Sequence, residues 1–127
     1  MNLHWKFLIF LCFANFAVKA QQTPTKQPDS VVQTIFSTYY AKKFDGRRTT
    51  SGERYRATKY TAAHRTLPFG TMVTVKNLKT GKTVLVRIND RGPFSKKFSL
   101  DISQAAAKDL GIYKLGYARV EISYLQP

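Results

Sequence analysis

Glu53, His64, Asp90 and Asp101 are the side chains of this sequence suited to moving protons, and they stand out largely by elimination. Seven acidic residues face 21 lysines and arginines. Asp29 lies in a polar tether, Asp45 beside Gly46 suits a turn, Asp109 falls late in a predicted helix, and Glu121 sits between Arg119 and Ser123 on a predicted strand. General acid catalysis needs a carboxyl group that keeps its proton near neutral pH, through burial or a second carboxylate close by. Asp90 lies among Arg87, Arg91, Lys96 and Lys97, which favour its ionised form. It reads either as a site carboxylate or as a cap on loop amides paired with Arg91. Asp101 precedes Ile102-Ser103 and reads either as a second site carboxylate or as a partly buried group near a helix N-terminus. His64, before the turn Leu67-Pro68-Phe69-Gly70, is equally compatible with a site and with a satisfied core position. Thiol chemistry is not expected: Cys12, the only cysteine, lies in the leader, so the folded part has no disulfide, zinc–cysteine site or cysteine nucleophile.

These residues need elements to hold them. Val84, Val86 and Ile88 alternate with Leu85, Arg87 and Asn89, the period of a half-buried strand that delivers Asp90 to the rim of a sheet. Gly92 and Pro93 stiffen the corner that follows. Residues 72–77 alternate in the same way, and Lys79-Thr80-Gly81-Lys82 joins the two runs as a hairpin. Residues 34–40 predict a first strand, 98–102 a short one and 118–124 a last one. Ser103 caps a helix predicted over residues 104–110, and Gly111 stops it. Residues 61–64 are too short to classify. Residues 42–60, with seven basic side chains and no sustained period, read as a long basic surface loop, of a length that is often functional. The sum is a mainly β fold, a small barrel of five or six strands with one short helix.

Residues 1–20 read as a signal peptide: Lys6 supplies the positive start, the apolar run over residues 7–18 is shorter than the roughly 20 residues of a spanning helix, and Val18-Lys19-Ala20 is a cleavage pattern. Residues 21–32 read as a disordered tether and residues 33–127 as one domain, with no membrane span after cleavage. Without residues 1–20, 19 basic residues stand against seven acidic ones, a formal charge of +12 that implies an anionic partner. For an exported chain, periplasmic or attached to the cell envelope, that partner is the wall or membrane headgroups and not nucleic acid.

Tyr39-Tyr40, Phe44-Asp45-Gly46-Arg47, Thr50-Ser51-Gly52-Glu53, Thr61-Ala62-Ala63-His64-Arg65-Thr66-Leu67-Pro68-Phe69-Gly70-Thr71, Asn77-Leu78, Gly81-Lys82, Ile88-Asn89-Asp90-Arg91-Gly92-Pro93-Phe94 and Leu100-Asp101-Ile102-Ser103 occur in one order along the chain. As an ordered set they resemble the rare lipoprotein A (RlpA) family, over about residues 35–124. The resemblance implies a six-stranded double-psi β-barrel, also seen in expansins and barwin-like proteins. It implies lytic transglycosylase action on peptidoglycan strands, with a preference for strands stripped of stem peptides. By motif position Glu53, His64 and Asp90 match residues important for that activity, and Asp101 an acidic position in the same groove. Two departures are visible. Leu11 precedes Cys12, so lipid anchoring is not expected, and no SPOR domain follows the barrel before Pro127, so septal targeting by that route is not expected.

The chemistry so implied is non-hydrolytic cleavage between N-acetylmuramic acid and N-acetylglucosamine, leaving 1,6-anhydro ends. Asp90 is the expected acid, Glu53 or Asp101 raises its proton affinity or positions sugar hydroxyls, and His64 hydrogen-bonds the acid or the sugar. Arg91, Tyr39 and Tyr40 are expected to bind substrate, with Tyr55 and Tyr60 as further sugar-stacking faces. No metal or cofactor is required, and a monomer is expected. The alternative is a non-catalytic, expansin-like protein that binds or loosens wall glycan through the same groove.

Overall fold

The computed structural model describes residues 29–127. The signal peptide and most of the tether expected from the sequence lie outside these residues. Six strands, β1 (Ser30–Tyr39), β2 (Thr61–Ala63), β3 (Met72–Asn77), β4 (Thr83–Asp90), β5 (Leu100–Ile102) and β6 (Ala118–Leu125), close into a barrel in the order β1-β5-β2-β4-β3-β6. Two neighbouring pairs, β1·β5 and β2·β4, run parallel and the others antiparallel.

The alternation in the sequence is what closes the barrel. Val73 and Val75 of β3, Val84, Val86 and Ile88 of β4, and Val120 and Ile122 of β6 all point inward and are buried. One helix, α1 (Gln104–Leu110), covers an open side with Ala106, Ala107 and Leu110, the alanines allowing close approach. It starts and stops as expected. Ser103 Oγ accepts from Ala106 N at 3.2 Å, and Gly111 ends it with a φ of 82°, a left-handed angle that costs an L side chain energy.

One boundary shifts, and one loop proves more ordered than its sequence shows. β1 begins at Ser30, so residues 30–32, expected in the tether, belong to the barrel: they pair with Leu125, Tyr124 and Ser123 of β6. Ser30 and Val32 face solvent, so no apolar stripe marks them as a strand, and the pairing comes from backbone hydrogen bonds. Residues 42–60 form the expected basic surface loop, with an internal order that the sequence did not show. A 3-10 turn (Lys42–Phe44) and a bridge between Arg48 and Arg54 fold this segment around Tyr55, which is 1% exposed and stacks on Tyr40 with ring centroids 4.3 Å apart. Tyr55, Tyr40 and Ala63 form a second, smaller core outside the barrel. Tyr55 Oη accepts from Gln104 N at 3.2 Å, tying the segment to the start of α1.

Candidate active site

β2 is the element that assembles the site. Its three residues are all buried, and Ala63 pairs with Asp90 of β4 on one side and Asp101 of β5 on the other. A register shift between Ala62 and Ala63 accompanies the approach of Asp90. The two carboxylates therefore flank one small residue, two strand spacings or about 10 Å apart at the backbone. They are close enough that the charge of Asp90 acts on Asp101.

Their surroundings push them in opposite directions. Burial would raise the affinity of Asp90 for its proton, but three hydrogen bonds outweigh it and hold the carboxyl below the usual range. Oδ1 accepts from Thr50 N at 2.8 Å and Arg91 N at 2.9 Å, and Oδ2 from Tyr40 Oη at 2.5 Å. Both sequence-level alternatives for Asp90 are thus partly realised: it caps loop amides, and it lines a cleft of about 250 Å³ with Phe44, Arg47 and Thr49. Asp101 has no such support. It is partly buried, Oδ1 is sheltered without a partner, and burial together with the charge of Asp90 pushes its carboxyl up to about 7.

Glu53 joins the same rim from the 49–53 turn but faces the other way. Its two oxygens accept from Arg87 Nη1 and Nη2, each at 2.8 Å, and Asn89 Nδ2 adds a third bond at 3.3 Å. The Arg87 fork, and then Asn89, hold Glu53 ionised. The turn therefore clasps the end of β4 at two points, Thr50 N on Asp90 and Glu53 on Arg87 and Asn89.

His64 follows β2 and its backbone N donates to Asp90 O at 3.1 Å. Its Nδ1 accepts from Thr66 N and Leu67 N at 3.1 and 3.0 Å, so the ring proton belongs on Nε2. Burial first, then the charges of Arg65 and Arg91, lower its proton affinity, and the ring stays neutral. Arg91, expected to bind substrate, is occupied as a strut: Nη1 donates to Leu67 O at 2.7 Å and His64 O at 3.2 Å, and the guanidinium lies 4.0 Å from the Phe69 ring centre.

The structure brings Asp90, Asp101, His64, Glu53 and Tyr40 to one rim and leaves Tyr39 out. Successive strand residues face opposite ways, and Tyr39 Oη donates to Tyr113 O at 2.6 Å on the other side of β1. Tyr55 is too deeply buried to stack on a sugar, and Tyr40, only 8% exposed, reaches Asp90 through its hydroxyl. Sequence reasoning passed over Thr50, Arg87 and Asn89. A signal for the last two existed, since Arg87 and Asn89 occupy the outward face of β4 immediately before Asp90. Among the described residues no three His, Cys, Asp or Glu side chains are placed to hold a metal ion.

A closed six-stranded barrel with two parallel pairs, one covering helix and carboxylates gathered at one rim is a double-psi β-barrel. Solved structures share this fold: the Streptomyces papain inhibitor, with a TM-score of 0.61 at 23% identity over 76% of this chain and 96% of that one, and the apo expansin of Clavibacter michiganensis, with a TM-score of 0.61 at 20% identity over 76% and 51%. A family model described as lytic transglycolase matches residues 32–122, and the chain belongs to that family, in its RlpA branch. It is 50% identical over 97 residues to the probable endolytic peptidoglycan transglycosylase RlpA of Treponema pallidum, and 44% identical over 113 residues to the endolytic peptidoglycan transglycosylase RlpA of Haemophilus influenzae. These matches take in 76% and 87% of this chain but 30% and 39% of those proteins, so the chain spans about a third of the relatives' length.

Proposed function

We propose that this barrel is a lytic transglycosylase of peptidoglycan, cutting glycan strands without water and leaving 1,6-anhydro-N-acetylmuramic acid ends, and that it prefers strands lacking stem peptides. The observation that carries the mechanism is the pair of carboxyl groups on either side of Ala63 with oppositely displaced proton affinities. Two such groups divide acid and base work between them. Asp101, protonated up to about pH 7, gives its proton to the glycosidic oxygen as the C1–O bond breaks. Asp90, ionised, takes the proton of the C6 hydroxyl as O6 bonds to C1. The tethered hydroxyl removes any need for an activated water. This exchanges the donor role expected of Asp90 from the sequence, because the three bonds to Asp90 favour its charged form. Tyr40 and the Thr50 amide orient Asp90, while neutral His64 offers Nε2–H to the sugar.

Incubation with peptide-free glycan strands, followed by mass spectrometry, tests the reaction. Anhydro ends are expected from the wild type, with losses of 100-fold or more, on the order of what a positioned acid or base contributes, in Asp90→Asn and Asp101→Asn. Reducing ends would mean hydrolysis. Binding without any products would instead support the expansin-like role.

A further inference from the structure

Three aromatic rings on the outer face of the barrel converge on one point. Phe36 of β1 and Tyr117, 37% and 44% exposed, meet edge to face with ring centres 6.4 Å apart. Phe98, from the chain joining β4 to β5, tilts against Tyr117 at 5.5 Å. The ammonium of Lys97 sits among them, 4.0 Å from the centre of Tyr117, 5.4 Å from Phe98 and 5.6 Å from Phe36. Such a cup suits either a cation or the C–H face of a sugar ring. A free cation is disfavoured, because Lys97 already fills the cup and Lys96 and Arg119 stand exposed beside it. The position favours the sugar. Thr38 pairs with Asp101 across β1 and β5, and both face outward, since Ser37 beside Thr38 and Leu100 and Ile102 beside Asp101 are buried. Phe36 lies on that same face two residues before Thr38, about 7 Å along the strand, and Tyr40 two residues beyond it. Thr38 Oγ1 donates to Gly116 O at 3.1 Å, which sets Tyr117 next to the face. The cup and the cleft at Asp90 therefore lie on opposite sides of Asp101.

We propose that the Phe36–Phe98–Tyr117 cup is an outlying subsite of the glycan groove, where a pyranose ring of the strand, away from the bond that is cut, stacks on the face of Tyr117 after Lys97 swings aside. The subsite rests on the glycan reading above and takes the stacking role that Tyr39, Tyr40 and Tyr55 do not fill. Opening the cup costs little, since a cation–π contact at an exposed site is weak and Lys97 is a long, exposed side chain that water solvates on release. No bond is made or broken there. The rings hold the strand across Asp101 while the reacting bond lies over the carboxylates.

Neutral oligomers of N-acetylglucosamine, titrated calorimetrically, test the cup without the influence of ligand charge. Tyr117→Leu, which keeps an apolar side chain and loses the flat ring, should bind the hexamer about three- to tenfold more weakly than wild type and the dimer, too short to span from the carboxylates to the cup, equally well. Tyr117→Phe, which keeps the ring, should match wild type for both. Lys97→Ala, with nothing left to displace, should bind the hexamer about two- to fivefold more tightly, the strength of an exposed cation–π contact. Circular dichroism checks each fold. No binding of any oligomer by wild type, a hexamer affinity unchanged in Tyr117→Leu, a hexamer bound no more tightly by Lys97→Ala, or tetramethylammonium binding at Tyr117 more tightly than the hexamer each overturns the subsite. Cleavage of peptide-free strands alongside any of these results leaves the transglycosylase standing and removes the cup. Hexamer binding that needs the Tyr117 ring, with no cleavage of strands, does the reverse.

Discussion

Asp101 is a carboxyl group with no hydrogen-bond donor assigned to it, and that deprivation sets its titration. Its proton affinity in the folded chain, up to about 7, lies above its ordinary value of 3.8. A raised value contributes stability that is fully present below pH 3.8 and is lost as pH rises through about 7. At about 1.4 kcal/mol per unit, Asp101 in its charged form costs the fold on the order of a few kcal/mol at pH 8. Asp101→Asn should therefore stabilise the protein at pH 8 and change little at pH 3.5, as thermal melts at the two values would register. Asp90 works in the opposite direction, its depressed value contributing stability above pH 3.8 that disappears as pH falls. For catalysis the same pair predicts a rate that declines above about pH 7 as Asp101 loses its proton. A rate flat from pH 6 to 9 would rule out Asp101 as the acid. That Asp90, Asp101, Glu53 and His64 lie near one another was legible in the sequence, since few acids compete and the motifs fall in order, whereas the placing of Tyr39 and Arg91 was not. The ionisation of Asp90 and Asp101 was not legible either, because it depends on Thr50 and Tyr40, 40 and 50 residues away from Asp90 along the chain.

Strands β3, β4 and β6 and helix α1 were legible because each carries its own signal, a period of two or a pair of caps. β2 was not. Three residues with two alanines show no pattern, yet this strand lies between β4 and β5 and holds both carboxylates. The segment from residue 42 to 60 is the expected basic surface loop, but its internal order was not legible, because that order comes from one aromatic side chain and not from periodicity. Tyr55 fills the space between Tyr40 and the start of α1, and its hydroxyl satisfies Gln104 N. Tyr55→Phe leaves that buried N–H without its partner and should cost about 1–3 kcal/mol, and Tyr55→Ala about 3–5 kcal/mol through the cavity it opens. Denaturant unfolding measures both. The alanine variant should also open residues 42–60 to protease and release Thr50 from Asp90, lowering activity before global unfolding. Protection equal to wild type would show that the segment is held by something other than Tyr55.

At the scale of the whole molecule, the formal net charge of +14 is the dominant long-range property. The site rim shares in it through Arg47, Arg48, Arg54, Arg56 and Lys59. Association with anionic strands should slow several-fold between about 0.05 and 0.5 M salt, while turnover of already bound strands changes little. Stopped-flow binding at the two ionic strengths distinguishes steering from specific contact. The strand pairing adds a geometrical consequence. β1 starts beside the end of β6, with Gln126 N bonded to Asp29 O, and runs ten residues, about 30 Å, before it reaches Tyr40 and the cleft. Chain joined at either end therefore leaves the barrel at a single point, far from the carboxylates. A barrel hung from a leash at that point would present its carboxylate rim outward.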